Sequence, residues 1–83
     1  MKVELLYAPG CPNAEPMRRQ LAGCLTTLGV RAEFTERVGQ FLSPTVLVNG
    51  ADVLGGADIA GQRCRLNLPT DEQILTALQA AMP

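Results

Sequence analysis

The stretch VELLYAPGCPNAEPMRRQLAGCLTTLG, residues 3–29, contains a strand, a turn and a helix in succession. Its first five residues predict a buried or half-buried strand, which Ala8-Pro9-Gly10 breaks. The residues after Asn13 carry apolar side chains at helical spacing, and Gly29 ends the pattern. The apolar stripe of this helix is formed by Met17, Leu21, Cys24, Leu25 and Leu28.

The helix has two candidate starting points, and both lie close to Cys11. With Cys11 as N-cap, Pro12 suits the first helical position, but Pro16 removes an interior hydrogen bond. With Asn13 as N-cap, Pro16 falls in the first turn, where a missing N–H costs little. We therefore expect the regular helix to begin after Asn13, with an irregular turn just before it.

Short strands are predicted in the middle of the chain, at 30–34, 45–48 and 51–54. The first of them alternates apolar and polar residues, which predicts that one set points inward. The inward set consists of Val30, Ala32 and Phe34. Asn49-Gly50, between the last two strands, is the strongest short signal for a hairpin. Residues 37–43 are too few for a proper helix.

The last helix has a clear N-terminal signal. Thr70 is a good N-cap, and Gln73 completes a capping box. Asp71 and Glu72 suit the positive end of the helix dipole. Its inner face is predicted to consist of Ile74, Leu75, Leu78, Ala81 and Met82. Before this helix, a turn or two of helix at 57–61 and then a loop are expected.

The order β-α-β-β-β-α predicts a single α/β domain over residues 1–83. A βαβ unit is right-handed and makes its two strands parallel, so we expect a four-stranded mixed sheet. Both faces of so small a sheet need cover, and the two main helices are expected to supply it.

The composition excludes several classes of function. A net charge of −1 predicts no nucleic-acid or membrane partner. The chain has no histidine, which excludes Ser–His catalysis, Cys–His catalysis and zinc sites that use imidazole. No apolar run approaches the roughly 20 residues that span a bilayer, and the N-terminus lacks a signal-peptide pattern. Three cysteines are an odd number, which excludes a full disulfide framework. Reduced thiols and a cytoplasmic location are expected.

The three cysteines have different surroundings. Cys11 lies at the start of a helix, where a thiolate is stabilised. Cys24 lies on the apolar stripe, about 20 Å along the helix from Cys11, and is expected to be a small buried hydrophobe. Cys64 lies between two arginines, which favour a thiolate. It is either a partner of Cys11, as a resolving thiol or a second soft-metal ligand, or an ordinary half-buried cysteine.

Three motifs in this order resemble the thioredoxin fold, and glutaredoxins in particular. GCPNA resembles their C-x-x-C or C-x-x-S site, SPTVLVNG their cis-proline segment, and GGAD their Gly-Gly-x-Asp turn. Ala14 stands where the second thiol is usual, and the helix before the cis-proline is missing. The pattern GCPN…SPTVLVNG…CRL is similar to a small bacterial thioredoxin-like group, some of whose members carry glutaredoxin or alkylmercury-lyase names.

The resemblance implies roles for individual residues. Cys11 would be the catalytic nucleophile, Pro44 the cis-proline, and Asp58 a contact to a glutathione amino group. The remaining residues implied in substrate binding are Ser43, Thr45, Gly55 and Gly56. Backbone groups near Pro44 would be free to pair with an extended substrate.

These observations leave three hypotheses open. The first is a thiol–disulfide oxidoreductase that uses Cys11, with glutathione or another small thiol, or Cys64, resolving the mixed disulfide. Its partner would be a small thiol or a protein disulfide. The second is a binding module in which Cys11 and Cys64 hold mercury, copper or a shared cluster. The third is a redox-inactive thioredoxin-fold protein retained for a protein contact.

Overall fold

The computed structural model describes residues 1–55, 63–64 and 68–82, and only the backbone of 63–64. The elements of this part are, in order, β1 (Lys2–Tyr7), α1 (Ala14–Leu28), β2 (Glu33–Val38), β3 (Leu42–Ser43), β4 (Thr45–Val48), β5 (Ala51–Asp52), β6 (Arg63–Cys64) and α2 (Asp71–Ala81). This is an α/β arrangement with a four-stranded mixed sheet and two helices, which confirms the general class predicted from the sequence. The helical turns expected at 57–61 lie outside the described residues. The short strand β6 replaces part of the loop expected after them.

The sheet has the strand order β2-β1-β4-β5. β1 is parallel to β2, with Leu5 opposite Glu36, and antiparallel to β4, with Leu5 opposite Val46. β4 and β5 form a hairpin. β3 and β6 form a separate parallel pair, which places a short second ladder directly before β4.

Helix α1 begins where the position of Pro16 predicted. Asn13 is its N-cap, and Pro16 therefore lies in the first turn. Gly29 ends the helix with a φ of 64°, and its N–H donates to the carbonyls of Leu25 and Thr26. A left-handed residue at this position favours glycine, so the end of the helix is encoded locally.

Helix α2 has the predicted capping box. The Gln73 N–H donates to Thr70 Oγ1 at 3.2 Å, and the Thr70 N–H donates to Gln73 Oε1 at 2.9 Å. Ile74 and Leu78 are buried on the inner face. Met82, predicted on that face, is 41% exposed because it is the C-cap and its backbone is extended.

α1 and α2 pack on the same face of the sheet, so the expectation that they cover opposite faces is wrong. The shared core consists of Val3, Leu5, Val46 and Val48 from the sheet and Met17, Leu21, Cys24, Ile74 and Leu78 from the helices. The Gln20 side-chain amide also donates to the Pro69 carbonyl at 3.1 Å, which joins α1 to the start of α2. The opposite face of the sheet carries Glu4, Leu6 and Leu47, which are buried as well.

The second strand differs from its predicted bounds of 30–34. It begins at Glu33, and all six of its residues are exposed, including Phe34, which was expected to point inward. The reason is the parallel ladder with β1, which runs from the pair Lys2–Glu33 to the pair Tyr7–Val38. Backbone pairing holds this outer strand, and the alternation of apolar residues does not determine its limits.

The Asn49-Gly50 hairpin forms as predicted, but its returning strand is short. Asn49 and Gly50 have φ values of 51° and 86°, as a type I′ turn requires. The returning strand ends at Asp52, because this residue forms a turn of its own. Its carboxylate accepts from the Leu54 N–H at 3.0 Å, and its carbonyl accepts from the Gly55 N–H at 2.9 Å.

Candidate functional site

Cys11 is held by two backbone turns between β1 and α1. The Cys11 N–H donates to the Ala8 carbonyl at 3.2 Å, and the Cys11 carbonyl accepts from the Ala14 N–H at 3.3 Å. Gly10, with a φ of 75°, allows the chain to reverse between these turns. Cys11 is half-buried as a residue.

The segment from β3 to β4 forms the other wall of the site. The Ser43–Pro44 peptide bond is cis, the geometry that the resemblance implied for Pro44. Ser43 and Thr45 flank this bond, and both are fully buried. Thr45 Oγ1 donates to the Leu42 carbonyl at 2.6 Å, and this hydrogen bond joins the start of β4 to β3 across the cis-proline.

The two buried hydroxyls beside Pro44 differ in one respect. Thr45 Oγ1 has the hydrogen bond just described, whereas Ser43 Oγ has no hydrogen-bond partner among the described residues. A buried hydroxyl without a partner is costly and uncommon in folded proteins. Ser43 therefore carries a polar group that the described part of the fold does not use.

Cys11 and Ser43 meet across the site. Cys11 Sγ lies 3.9 Å from the Ser43 carbonyl oxygen, although 32 residues separate them in sequence. The structure thus brings together the cysteine at the start of α1 and the residue that precedes the cis-proline. Neither motif alone predicts this contact, which depends on β1 and β4 being neighbours in the sheet.

The strand β6 pairs with β3, the strand that contains Ser43. In the parallel ladder between β3 and β6, Leu42 is opposite Arg63 and Ser43 is opposite Cys64. The backbone of Cys64 is therefore a direct neighbour of the residue that Cys11 contacts. The β3–β6 ladder engages one edge of the backbone at Leu42 and Ser43, close to the groups expected to pair with an extended substrate.

Cys24 is a buried thiol apart from this site, as its place on the apolar stripe predicted. It is 4% exposed in the core between α1 and α2, and its Sγ lies 4.0 Å from the Asp71 carboxylate. Burial raises the pKa of the Cys24 thiol, and the negative charge of Asp71 raises it further. Cys24 is consequently a protonated core residue at neutral pH.

A charged cluster that the sequence did not reveal lies on α1, beyond the Cys11 turn. The Arg18 guanidinium donates to Glu36 at 2.8 Å and to Glu15 at 3.2 Å, and it lies 5.8 Å from the centre of the Tyr7 ring. The hydrogen bond to Glu36 is the main cause that raises the pKa of Arg18. Arg19 is exposed, whereas Arg18 is half-buried and links α1 to β2.

The other residues implied in substrate binding are only partly described. Gly55 is exposed and has a φ of 76°, and Gly56 and Asp58 lie outside the described residues. Among the described residues, no group of three or more Cys, Asp or Glu side chains could hold a metal ion. No helix in the described ranges has the length and apolar character needed to cross a membrane.

The chain was compared with protein-family models, with curated proteins and with solved structures. None of these comparisons found a match. The functional interpretation of the site therefore depends on its own residues and geometry.

Proposed function

We propose that this chain is a thiol–disulfide oxidoreductase with a thioredoxin-like, glutaredoxin-like fold, in which Cys11 is the nucleophile. One observation carries the proposal, namely the 3.9 Å contact between Cys11 Sγ and the carbonyl of Ser43, the residue before the cis-proline. The parallel β1-α1-β2 unit and the antiparallel β4 beside β1 support the fold assignment. The resemblance described above predicts this combination of thiol and cis-proline.

The proposed reaction is a pair of thiol–disulfide exchanges. The Cys11 thiolate attacks one sulfur of a small disulfide, forms a mixed disulfide with it, and releases the other half as a thiolate that takes up a proton. A second small thiol then attacks the mixed disulfide and restores the Cys11 thiolate. The incoming thiol leaves as a disulfide with the half of the substrate that Cys11 held, so one reducing thiol is consumed and one thiol is released for each substrate disulfide, and electrons and protons balance.

The position of Cys11 suits an attacking thiol. It is half-buried at the start of α1, where the helix dipole favours negative charge. Its sulfur lies beside the carbonyl of Ser43, in the segment that the resemblance implies in substrate binding. A glutathione-type disulfide is a small substrate for such a site, and a reducing compartment such as the cytoplasm supplies the thiol.

The test is reduction of a mixed disulfide between glutathione and a small thiol, with glutathione as the reductant. We expect the Cys11→Ser variant to lose the rate above the uncatalysed reaction. Cys24→Ala is the matched control, because Cys24 is buried and apart from the site, and we expect it to keep that rate. Retention of the full rate in Cys11→Ser would refute the proposal.

The register of β3 and β6 also favours a second candidate function. Since the Cys64 backbone adjoins the residue that Cys11 contacts, the two thiols could form a two-coordinate site for a soft ion such as mercury or copper(I). Native mass spectrometry after titration with the metal separates the two functions. One metal ion per chain, lost in both Cys11→Ser and Cys64→Ser, combined with no exchange activity would favour binding over catalysis.

A further inference from the structure

We infer that Cys64 is the second thiol of this site and resolves the mixed disulfide on Cys11 within the same chain. The inference rests on the proposed function. The observation behind it is that both cysteines adjoin Ser43. Its carbonyl lies 3.9 Å from Cys11 Sγ, and its backbone is paired with that of Cys64 in the β3–β6 ladder.

The β3–β6 ladder places the backbone of Cys64 next to that of Ser43. Neighbouring strands lie about 4.8 Å apart, so the Cys64 backbone is one strand spacing from Ser43. A disulfide joins cysteines whose Cα atoms are within about 7 Å. Both cysteines adjoin the same residue, whereas the buried Cys24 lies about 20 Å along the helix from Cys11.

The helix that follows Cys11 has no second cysteine in its first turn. One helical turn after Cys11, where a second thiol would commonly stand, this chain has Ala14, which is buried and cannot react. A second thiol of this chain can therefore reach Cys11 only from another element. The pairing of β6 with β3 brings Cys64 to the site from 53 positions further along the chain.

The resolving step needs no reactant beyond the substrate disulfide. The Cys64 thiolate attacks the Cys11 sulfur of the mixed disulfide, the bond between Cys11 and the small thiol breaks, and that thiol leaves as a thiolate and takes up a proton. The two protein thiols lose two electrons and two protons, and the substrate disulfide gains them. Two molecules of a small thiol later return the protein to its reduced form.

The experiment is oxidation of the reduced chain with excess oxidised glutathione, acid quenching and intact-mass analysis with peptide mapping. We expect the parent chain to lose two hydrogen atoms and to contain a Cys11–Cys64 disulfide. Cys64→Ser should instead accumulate one glutathione on Cys11, with Cys64→Ala as a second variant if the first does not fold. Cys24→Ala is the matched control and should form the same internal disulfide as the parent.

Two outcomes would overturn the inference. If the parent accumulates the glutathione adduct to the same extent as Cys64→Ser, Cys64 does not resolve it, and the single-thiol function still stands. If peptide mapping finds a different pair of cysteines, the assignment of Cys64 is wrong. Failure of the proposed function would look different, because Cys11→Ser would then reduce mixed disulfides as fast as the parent.

Discussion

The two buried hydroxyls beside Pro44 allow a stability prediction in which neighbouring substitutions act in opposite directions. Ser43 and Thr45 are both fully buried, yet within the described ranges only the Thr45 hydroxyl has a hydrogen bond, to the Leu42 carbonyl at 2.6 Å. Ser43→Ala removes a polar group that has no partner among the described residues. Thr45→Val keeps the shape of the side chain but removes a donor that the Leu42 carbonyl uses.

The expected magnitudes follow from the cost of burying a polar group without a partner. That cost is about 1–3 kcal/mol, so Ser43→Ala should raise the free energy of unfolding by up to this amount. Thr45→Val should lower it by about 1–3 kcal/mol, because the carbonyl loses a bonded hydroxyl. In a domain of this size, 1 kcal/mol shifts the midpoint of thermal unfolding by roughly 4–8 °C.

The measurement is urea unfolding of the parent chain and both variants, with thermal unfolding as a second readout. If Ser43→Ala destabilises the chain as much as Thr45→Val does, the Ser43 hydroxyl is bonded and the reasoning fails.

Three other predictions concern Cys24, α2 and β6. Burial, followed by the charge of Asp71, raises the pKa of Cys24, so the unfolded chain loses this proton at lower pH than the native chain does. The free energy of unfolding should therefore fall as pH rises above about 9, and it should fall less steeply in Cys24→Ala than in the parent chain. Urea unfolding at several pH values measures this, and the same dependence on pH in both chains would contradict it. Thr70→Ala should lower the free energy of unfolding by about 0.5–2 kcal/mol, because the capping box is lost. Thr76 is exposed on the same helix, so Thr76→Ala should leave stability unchanged. Equal losses in urea unfolding would refute the role of the cap. Strand β6 pairs with the backbone just before the cis-proline, so kcat/KM should be higher for a small disulfide than for the same disulfide in an extended peptide. Equal values would show that β6 does not obstruct the site.

Local signals predicted the parts of the fold whose limits are encoded in a few adjacent residues. Pro16 identified Asn13 as the start of α1, Thr70 and Gln73 identified the start of α2, and Asn49-Gly50 identified the hairpin. Each of these signals acts through the backbone within four residues of itself. The sequence therefore contains the information without knowledge of the tertiary structure.

Features that depend on distant backbone pairing could not be predicted in the same way. The outer strand β2 is exposed throughout, so its apolar pattern carries no information about its limits, which pairing with β1 determines. Each helix has a single apolar stripe, and a stripe does not specify which face of the sheet it covers. Strands β3 and β6 have two residues each, too few for any periodic signal.

In the candidate site, too, the sequence predicted what local motifs encode and missed what depends on packing. Cys11 and Pro44 were predicted from their motifs, and the structure brings the Cys11 sulfur against the residue that precedes Pro44. The unpartnered hydroxyl of Ser43 was not foreseen, because its partners depend on packing. The link from Arg18 to Glu36 was missed for a similar reason, since it joins α1 to a strand whose register was unknown.

The exposed outer strand β2 has a practical consequence for handling the protein. An outer strand offers its unpaired N–H and C=O groups to other chains, and charged side chains oppose such pairing. In β2 those charges come from Glu33, Glu36 and Arg37, flanked by the exposed Phe34 and Val38. The net charge of the whole chain is only −1 at pH 7, so repulsion between whole molecules is weak and the local charges of β2 provide the protection. Because salt screens exposed charges, concentrated samples should remain dispersed longer at low ionic strength than at high ionic strength.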